Sequence, residues 1–581
     1  MKKIITEYLK PFYGRMAIGV FFKFTGSIMD LIIPSILALI IDQVIPLNQK
    51  APIFYWGGVM VICAIVGMVF NIIANRMAAR VASDATEIIR HDLFARVIYF
   101  SNHQMDTLTR PSVISRLTAD TYIVHQMIIR IQRLGVRAPI MLVGGIIITM
   151  TLDPGLAMVL IGIMPVMMLI IILVSRKSMP LFAGLQQALD GFVRVVREDI
   201  NGIRVIKALS KTDYEKNRFD TINTDVVNRE KKARMTVAVI SPAMNICLNL
   251  GLVSVVVVGA YGVNNGTSEV GIILAFMTYF TIILHAVLAL SKLFEMWPKA
   301  TASAERIIQA LDSVDILAVQ EVTEDGETVK DDAFVAFQNV TFSYNKEEPN
   351  LTNISFTLKK GETLGIIGET GAGKTTLLNL LMRLYDVDEG KISIAGRDIR
   401  SMDPRELHQK FGVVFQNDMI FEATIEENID LGRNLSKEAI KKAIVCAGAK
   451  AFVDEKADKS GEQLSIKGAN LSGGQKQRIL IARALAASPE ILVLDDASSA
   501  LDYQTDATFR KAIKENFGDT TIIIVAQRIS SIRHADHILV LEDGVAIGYG
   551  KHKHLMKSCE IYREISHSQM GVSSDATITE I

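Results

Sequence analysis

Long apolar windows in the first half of the chain restrict its fold more than any other feature. Between Met16 and Trp297 they recur at about Met16–Ile41, Phe54–Asn75, Ala138–Leu152, Gly155–Ser175, Thr236–Val263 and Gly271–Trp297. Most approach the ~20 residues that a helix needs to cross a hydrocarbon core of roughly 30 Å. The third is short only because it is cut at Arg137; a helix there can begin earlier, in water. Six membrane-crossing helices are expected. A mean hydropathy of +0.30 with only 21% charged residues agrees, being unlike a soluble enzyme of this size. The opening MKKIITEYLKPFYGR lacks a signal-peptide pattern and is expected to form a short amphipathic helix at the membrane interface.

The basic residues assign sidedness. Arg76–Arg137 holds nine arginines and Arg176–Arg234 thirteen Lys/Arg, whereas Asp42–Ile53, Leu152–Gly155 and Gly262–Val270 share one basic residue, Lys50. The basic loops therefore face the cytoplasm. Apolar residues recur in them at helical spacing with no Gly/Pro-rich break, so the membrane helices are expected to continue through both loops as long stalks.

Composition changes after Thr301–Asp312. An acidic stretch, Gln320–Ala333, has the character of a linker, and from Ala333 the pattern turns β-rich and then alternates strand and helix. That alternation predicts an α/β domain with a mainly parallel sheet. The expected organisation is a membrane domain over 1–312, a linker over 313–332, an α/β domain over 333–568 and a polar, disordered tail over 569–581. Lys+Arg and Asp+Glu number 62 each, so no basic excess marks nucleic acid as a partner. The cysteines Cys63, Cys247, Cys446 and Cys559 lie too far apart in sequence to support a disulfide framework or a zinc site.

The second half carries the chemistry. The strand TLGIIG leads into GETGAGKT (Gly368–Thr375) and then the helical TLLNLLMRLY. Gly368, Gly371 and Gly373 let backbone N–H groups wrap phosphate oxygens at a helix N-terminus. Lys374 reaches the β- and γ-phosphates of such a ligand, and Thr375 is the Mg²⁺-ligating hydroxyl. Thr370 and Thr376, within and just after the loop, join the nucleotide-binding set. Downstream, ILVLDD (Ile491–Asp496) is an apolar strand ending in two carboxylates, of which Asp495 suits Mg²⁺. Between them LSGGQ (Leu471–Gln475) opens the helix KQRILIARALAA, so Ser472, Gly473, Gly474 and Gln475 form a second phosphate-grade anion site.

LSGGQ between a phosphate loop and an Asp-ended strand is the signature of the ATP-binding cassette (ABC) family. Over roughly Met1–Ser568 the chain resembles an ABC exporter half-transporter of the type IV fold. That resemblance implies an α-helical membrane domain of six transmembrane helices with long cytoplasmic extensions, fused to an α/β P-loop ATPase. It also implies residence in the cell membrane, with the N-terminus and the ATPase domain cytoplasmic. Tyr344 in VTFSY resembles the aromatic that stacks on adenine, Gln416 in VVFQND the Q-loop glutamine at the Mg²⁺, and Ser499–Asp502 the D-loop. Gln104–Asp120 and Asn201–Lys211 resemble the loops whose tips form coupling helices. The family mechanism sandwiches each ATP between one chain's phosphate loop and the other chain's LSGGQ, drives alternating access by ATP-dependent closure, and resets by hydrolysis.

Three departures from the family pattern shape the functional expectation. The general-base position after the strand carries Asp496 in place of Glu, the switch-region position carries Gln527 in place of His, and Ile466 replaces a Glu just before LSGGQ. A carboxylate one methylene shorter is withdrawn by about 1.5 Å, and an ångström of misplacement can cost on the order of 10²-fold in rate. A glutamine can donate a hydrogen bond but cannot carry positive charge. The expected behaviour is a site that binds MgATP yet turns over slowly, in a chain whose intact LSGGQ completes the active site of a different half-transporter carrying Glu and His. The leading expectation is a heterodimeric exporter of amphipathic or drug-like compounds, in contact with membrane lipid. The alternatives are a homodimeric exporter of a lipid or other dedicated cargo, and an ATP-gated channel or sensor. Within the first window, Lys23 and Asp30 are expected to face the bundle interior or a watery cavity, Asp30 either contacting a cationic substrate or partnering another helix; Asn71, Asn75, Asn245, Asn249 and His285 either line the pathway or bridge helices. The methionines between Met141 and Met179 suit either an adaptable cavity or plain packing.

Overall fold

Each apolar window falls within one of six long helical spans. The computed structural model describes residues 2–313, 317, 319–320, 333–416, 418–497 and 503–570. It forms two units: Met1–Tyr99 with Leu108–Ser313, and Phe100–Thr107 with Val314–Ile581. Among the described residues, six helical spans are long and apolar enough to cross a membrane, at Lys10–Leu47, Lys50–Ile98, Arg110–Leu152, Pro154–Ala208, Thr212–Asn264 and Val270–Leu311.

In the first unit these spans contain α1 (Tyr13–Leu39) and α2 (Lys50–Ile98). The chain then passes through α3 (Asn102–Leu108), which falls almost wholly in the second unit, and the first unit resumes with α4 (Arg110–Ser115) and α5 (Thr121–Leu152). They are followed by α6 (Pro154–Ala208), α7 (Thr212–Ala238), α8 (Ile240–Asn264) and α9 (Val270–Leu311). The tight outward turn is set by Asp153, whose carboxylate accepts from Gly155 N (2.8 Å) and Leu156 N (3.1 Å) with Pro154 opening α6. The basic loops are not continuous helix, contrary to expectation. The first is interrupted after α2 and again at Thr109, whose φ is +59°, just before Pro111 in the first turn of α4. Proline lacks the N–H that a continuing helix would need, so it starts a new one. The second breaks at Ser210, φ +52°.

The N-terminal segment is helical but irregular: it forms a π turn (Ile4–Tyr8) and a 3₁₀ turn (Lys10–Phe12), with Ile4 and Leu9 buried. Lys3 is ion-paired to Asp312, just past α9.

The intramembrane charges are used between helices. Lys23 donates to Asn75 Oδ1 (3.2 Å), and Asp30 Oδ2 accepts from Arg137 (3.0 Å) and Asn71 (3.3 Å). Gly26 and Gly67 let α1 and α2 cross closely: a Cβ on Gly67 would lie 3.0 Å from Asp30 Oδ1, and one on Gly26 would lie 3.2 Å from Gly67 O. Asn249 bonds back to Asn245 O within α8 (2.9 Å). Met141 and Met167 are buried in the helix core, whereas Met158, Met168 and Met179 lie on the outside.

Among its described residues the second unit contains two sheets. β1 (Val335–Phe342), β2 (Leu351–Leu358), β4 (Glu389–Ile394) and β5 (Arg397–Asp398) make an antiparallel sheet in the order β2-β1-β4-β5. The other has the order β10-β9-β3-β8-β7-β6, with β3 (Thr363–Gly368), β6 (Phe411–Val414), β7 (Ile491–Asp495), β8 (Thr521–Val525) and β9 (His537–Glu542) parallel. Its edge strand β10 (Val545–Gly550) is antiparallel. Helix α10 (Lys374–Leu381) follows β3, and α11 (Pro404–Gln409) precedes β6. A helical layer of α12 (Ile425–Asp430), α13 (Lys437–Cys446), α14 (Lys450–Asp454) and α15 (Gly473–Leu485) lies between β6 and β7 in sequence. α16 (Tyr503–Asn516), α17 (Ile529–Ile532), α18 (His552–Ser558) and α19 (Glu560–Met570) complete the unit. The segment Phe100–Thr107 belongs here too: Asp106 accepts a 2.6 Å hydrogen bond from the Tyr385 hydroxyl. The expected tail and most of the expected linker lie outside the described residues.

The helical layer is pinned by a buried guanidinium. Arg483 of α15 donates to Asn428 O (2.8 Å), Asn428 Oδ1 (3.1 Å) and Met419 O (2.9 Å), and stacks on Phe421. Arg483→Leu strands those acceptors, each at about 1–3 kcal/mol. The expected result is a lower melting temperature of the full-length protein, with Arg483→Lys intermediate; differential scanning calorimetry checks it.

Candidate nucleotide site

The site is built at the carboxyl ends of three parallel strands. β3 pairs with β8, and β8 with β7, so Gly368, Val525 and Asp495 end close together. The turn after β3 needs its glycines. A Cβ on Gly368 would lie 2.1 Å from Leu541 O, and Gly371 and Gly373 have φ of +94° and +92°. A Cβ on Gly373 would also sit 2.6 Å from Leu351 Cδ2. This backbone leaves a cradle facing the N-terminus of α10, where orphan N–H groups and the helix dipole favour an anion.

Lys374, the first residue of α10, donates to Gly368 O (2.9 Å) and Glu369 O (2.6 Å), holding its ammonium over the loop. Burial lowers its pKa, opposed by Asp495 and Asp496. Thr375 Oγ1 donates to Asp495 Oδ2 at 3.4 Å. The Asp495 carboxyl is pushed up mainly by burial, pulled down by Thr375, pushed up by Asp496 and pulled down by Lys374. A buried carboxylate held at such cost beside a hydroxyl and a lysine fits a site that takes a cation, so Thr375 and Asp495 are the residues that would hold Mg²⁺. Thr370 is exposed on the loop and Thr376 is buried.

Tyr344 is half-exposed, standing edge-on to Phe342 (4.9 Å) and to Tyr385 (5.0 Å). Its hydroxyl meets Thr376 Oγ1 (3.4 Å) and Asn379 Nδ2 (3.3 Å), which tie the ring to α10. The open face of a ring so fixed offers a stacking platform for a flat base.

Asp496 and Gln527 are in direct contact. Asp496 lies in the left-handed region (φ +53°), its N–H is held by Val525 O (3.0 Å), and its Oδ2 accepts from Gln527 Nε2 at 3.0 Å. Burial raises its pKa, with Arg528 and Lys374 pulling the other way. Gln416 is exposed just beyond β6, whose register Val414↔Leu494 sets it beside the end of β7. The LSGGQ residues are organised separately. Ser472 caps α15 and forms a capping box with Gln475: Gln475 N to Ser472 Oγ is 3.2 Å and Ser472 N to Gln475 Oε1 is 3.0 Å, with open space over Gly473. Ile466 is exposed in a 3₁₀ turn before it. The expected D-loop, Ser499–Asp502, lies outside the described residues. Sequence reasoning missed Asn379, Arg528 and Gln569, the last bonding to the Gln527 backbone (2.7 Å). None stands in a motif.

Comparison with known proteins decides the family. Residues 16–287 match the family described as ABC transporter transmembrane region, and residues 351–499 match the family described as ABC transporter. The chain belongs to the ABC transporters. It is 33% identical over 575 residues to the uncharacterized ABC transporter ATP-binding protein YfiB of Bacillus subtilis, covering 98% of this chain and 99% of that one. An uncharacterized ABC transporter ATP-binding protein of Mycobacterium tuberculosis is 32% identical, covering 97% and 98%. The structure of a bacterial Atm1-family ABC exporter with ATP bound has the same fold, with a TM-score of 0.81 at 24% identity over 97% of this chain and 99% of the other. This ABC transporter is thus a multi-pass membrane protein and transport ATPase, a half-transporter with one membrane and one cytoplasmic ATPase domain.

A site that stores carboxylates against burial carries a pH signature. A native pKa raised above its unfolded value costs stability as pH climbs through it, because the unfolded state then gives up its proton at lower pH than the native state does. The transporter without nucleotide is expected to lose melting temperature as pH rises through the range just above the ordinary carboxylate value. Asp495→Asn lessens that slope and raises the nucleotide-free melting temperature at neutral pH, while losing the stabilisation that MgATP gives; calorimetry with and without MgATP checks both.

Proposed function

We propose that this ABC transporter is the slow-site subunit of a heterodimeric exporter. Its own phosphate loop holds MgATP with little turnover, and its LSGGQ completes the active site of a different half-transporter carrying Glu and His. The observation that carries this reading is the 3.0 Å bond from Gln527 Nε2 to Asp496 Oδ2. The carboxylate at the base position is short, and a neutral amide at the switch position engages it. An amide donor lowers the basicity of the oxygen it bonds and brings no positive charge to a transferring phosphoryl group. Lys374, Thr375 and Tyr344, which would hold the nucleotide, all keep the residue types that binding needs.

In this reading Tyr344 stacks on adenine and the loop N–H groups and Lys374 hold the β- and γ-phosphates; Thr375, Asp495 and Gln416 would hold Mg²⁺, which would supply positive charge against the phosphates. ATP that favours the closed pair shifts the membrane helices by its differential affinity for that state. The cargo is read as hydrophobic or amphipathic. Lys23 and Asp30 support this, since their hydrogen bonds go to neighbouring helices.

Single-turnover hydrolysis by the complex, purified from its native membrane through a tag on this chain, tests the reading. The wild type is expected to hydrolyse about half of its bound ATP in a fast phase and the rest slowly. Asp496→Glu with Gln527→His is expected to speed the slow phase by on the order of 10²-fold. A single fast phase in the wild type, or equal slowing of both phases by Asp496→Ala, contradicts the asymmetric site.

A further inference from the structure

The residue that holds the switch segment lies at the far end of the chain. Gln569 stands one position from the end of α19, and its side-chain amide makes two hydrogen bonds to the backbone after β8. Its Nε2 donates to Gln527 O at 2.7 Å, and its Oε1 accepts from Ile529 N at 2.8 Å. One planar amide thus grips the segment on both sides of Arg528, as a neighbouring strand would. Ile529 opens α17, so its N–H is among the donors that a helix leaves unsatisfied at its start, and Gln569 supplies the partner. The gripped residues are those that act on the base position. Gln527 Nε2 bonds to Asp496 Oδ2 at 3.0 Å. Gln569 is itself well anchored. In α19, Tyr562 is fully buried, packs in one cluster with Ile529, Ile532 and Leu555, and bonds through its hydroxyl to His552 Nδ1 at 2.8 Å.

We infer that Gln569 is a positioning residue for the nucleotide site: by fixing the Gln527–Ile529 backbone it keeps the Gln527 amide on Asp496 and so keeps this chain's hydrolysis slow. It touches neither carboxylate and acts only through the segment it holds. Freeing the segment lets Gln527 swing away from Asp496, which leaves the carboxylate oxygen open to an attacking water. Affinity for ATP depends on the phosphate loop and Tyr344, which Gln569 does not contact. A change in rate without a change in affinity is therefore the mark of this role.

The inference rests on the slow-site reading, and the same complex tests it. In full-length protein, Gln569→Ala is expected to speed the slow single-turnover phase about 5-fold, the scale of one lost hydrogen bond, with ATP affinity unchanged in equilibrium titration. Gln569→Glu keeps the acceptor for Ile529 N but loses the donor to Gln527 O, and is expected to do the same. Combined with Gln527→Ala, Gln569→Ala adds nothing further, because both remove one interaction. Glu564→Gln, exposed on the same helix, leaves the rate unchanged. A slow phase untouched by both Gln569 variants, a loss of affinity matching the change in rate, or additive effects with Gln527→Ala each overturn the role of Gln569 while leaving the slow site standing. A wild type without a slow phase removes both.

Discussion

The nucleotide site depends on three strands running parallel and ending together. With β3, β7 and β8 in register, the phosphate loop, the two carboxylates and the switch segment emerge at one edge of the sheet, where a doubly wound fold leaves room for a ligand. Each then needs only a local device. Glycines let the loop turn, α10 presents its N-terminus and Lys374, and the end of β7 presents Asp495 and Asp496. The buried cluster beneath, from Leu364 and Ile366 to Val493 and Ile523, holds the edge rigid. A site built this way can keep its binding parts while its catalytic parts change, because Lys374 and Thr375 sit on one element and Asp496 and Gln527 on two others.

That separation explains what the sequence made legible. Lys374, Thr375 and Asp495 were readable because strand, loop and helix follow one another along the chain, and the six membrane helices were readable by length and hydropathy alone. Asp496 and Gln527 could be singled out only against the ABC pattern, and nothing in the sequence said that they bond to each other. Contacts between distant segments were not legible: Gln569 reaching Gln527, Tyr385 reaching Asp106, and Arg137 reaching Asp30 across α1 and α5. The burial of Ile4 and Leu9 is of the same kind: an apolar face reads alike in either setting, and only tertiary packing decides that protein covers those two side chains. In the stalks, helical periodicity continued through breaks that turn on Pro111 and on the left-handed Thr109 and Ser210.

The membrane half follows a different economy of charge. Ionised groups in a hydrocarbon layer are costly unless paired, and α1 meets this by setting Lys23 and Asp30 against Asn75, Asn71 and Arg137. The close crossing at Gly26 and Gly67 brings those side chains within reach, as small residues do at helix contacts in membranes.

The central claim is asymmetry between two ATP sites, and the composition of the assembly tests it most directly. The intact mass of the complex, gently extracted from its native membrane through a tag on this 64.0 kDa chain, gives the answer. The account predicts a second, different polypeptide at one-to-one, whose sequence carries Glu and His where this chain has Asp496 and Gln527. A dimer of this chain alone would give both sites the same short carboxylate and the same amide, and would contradict it.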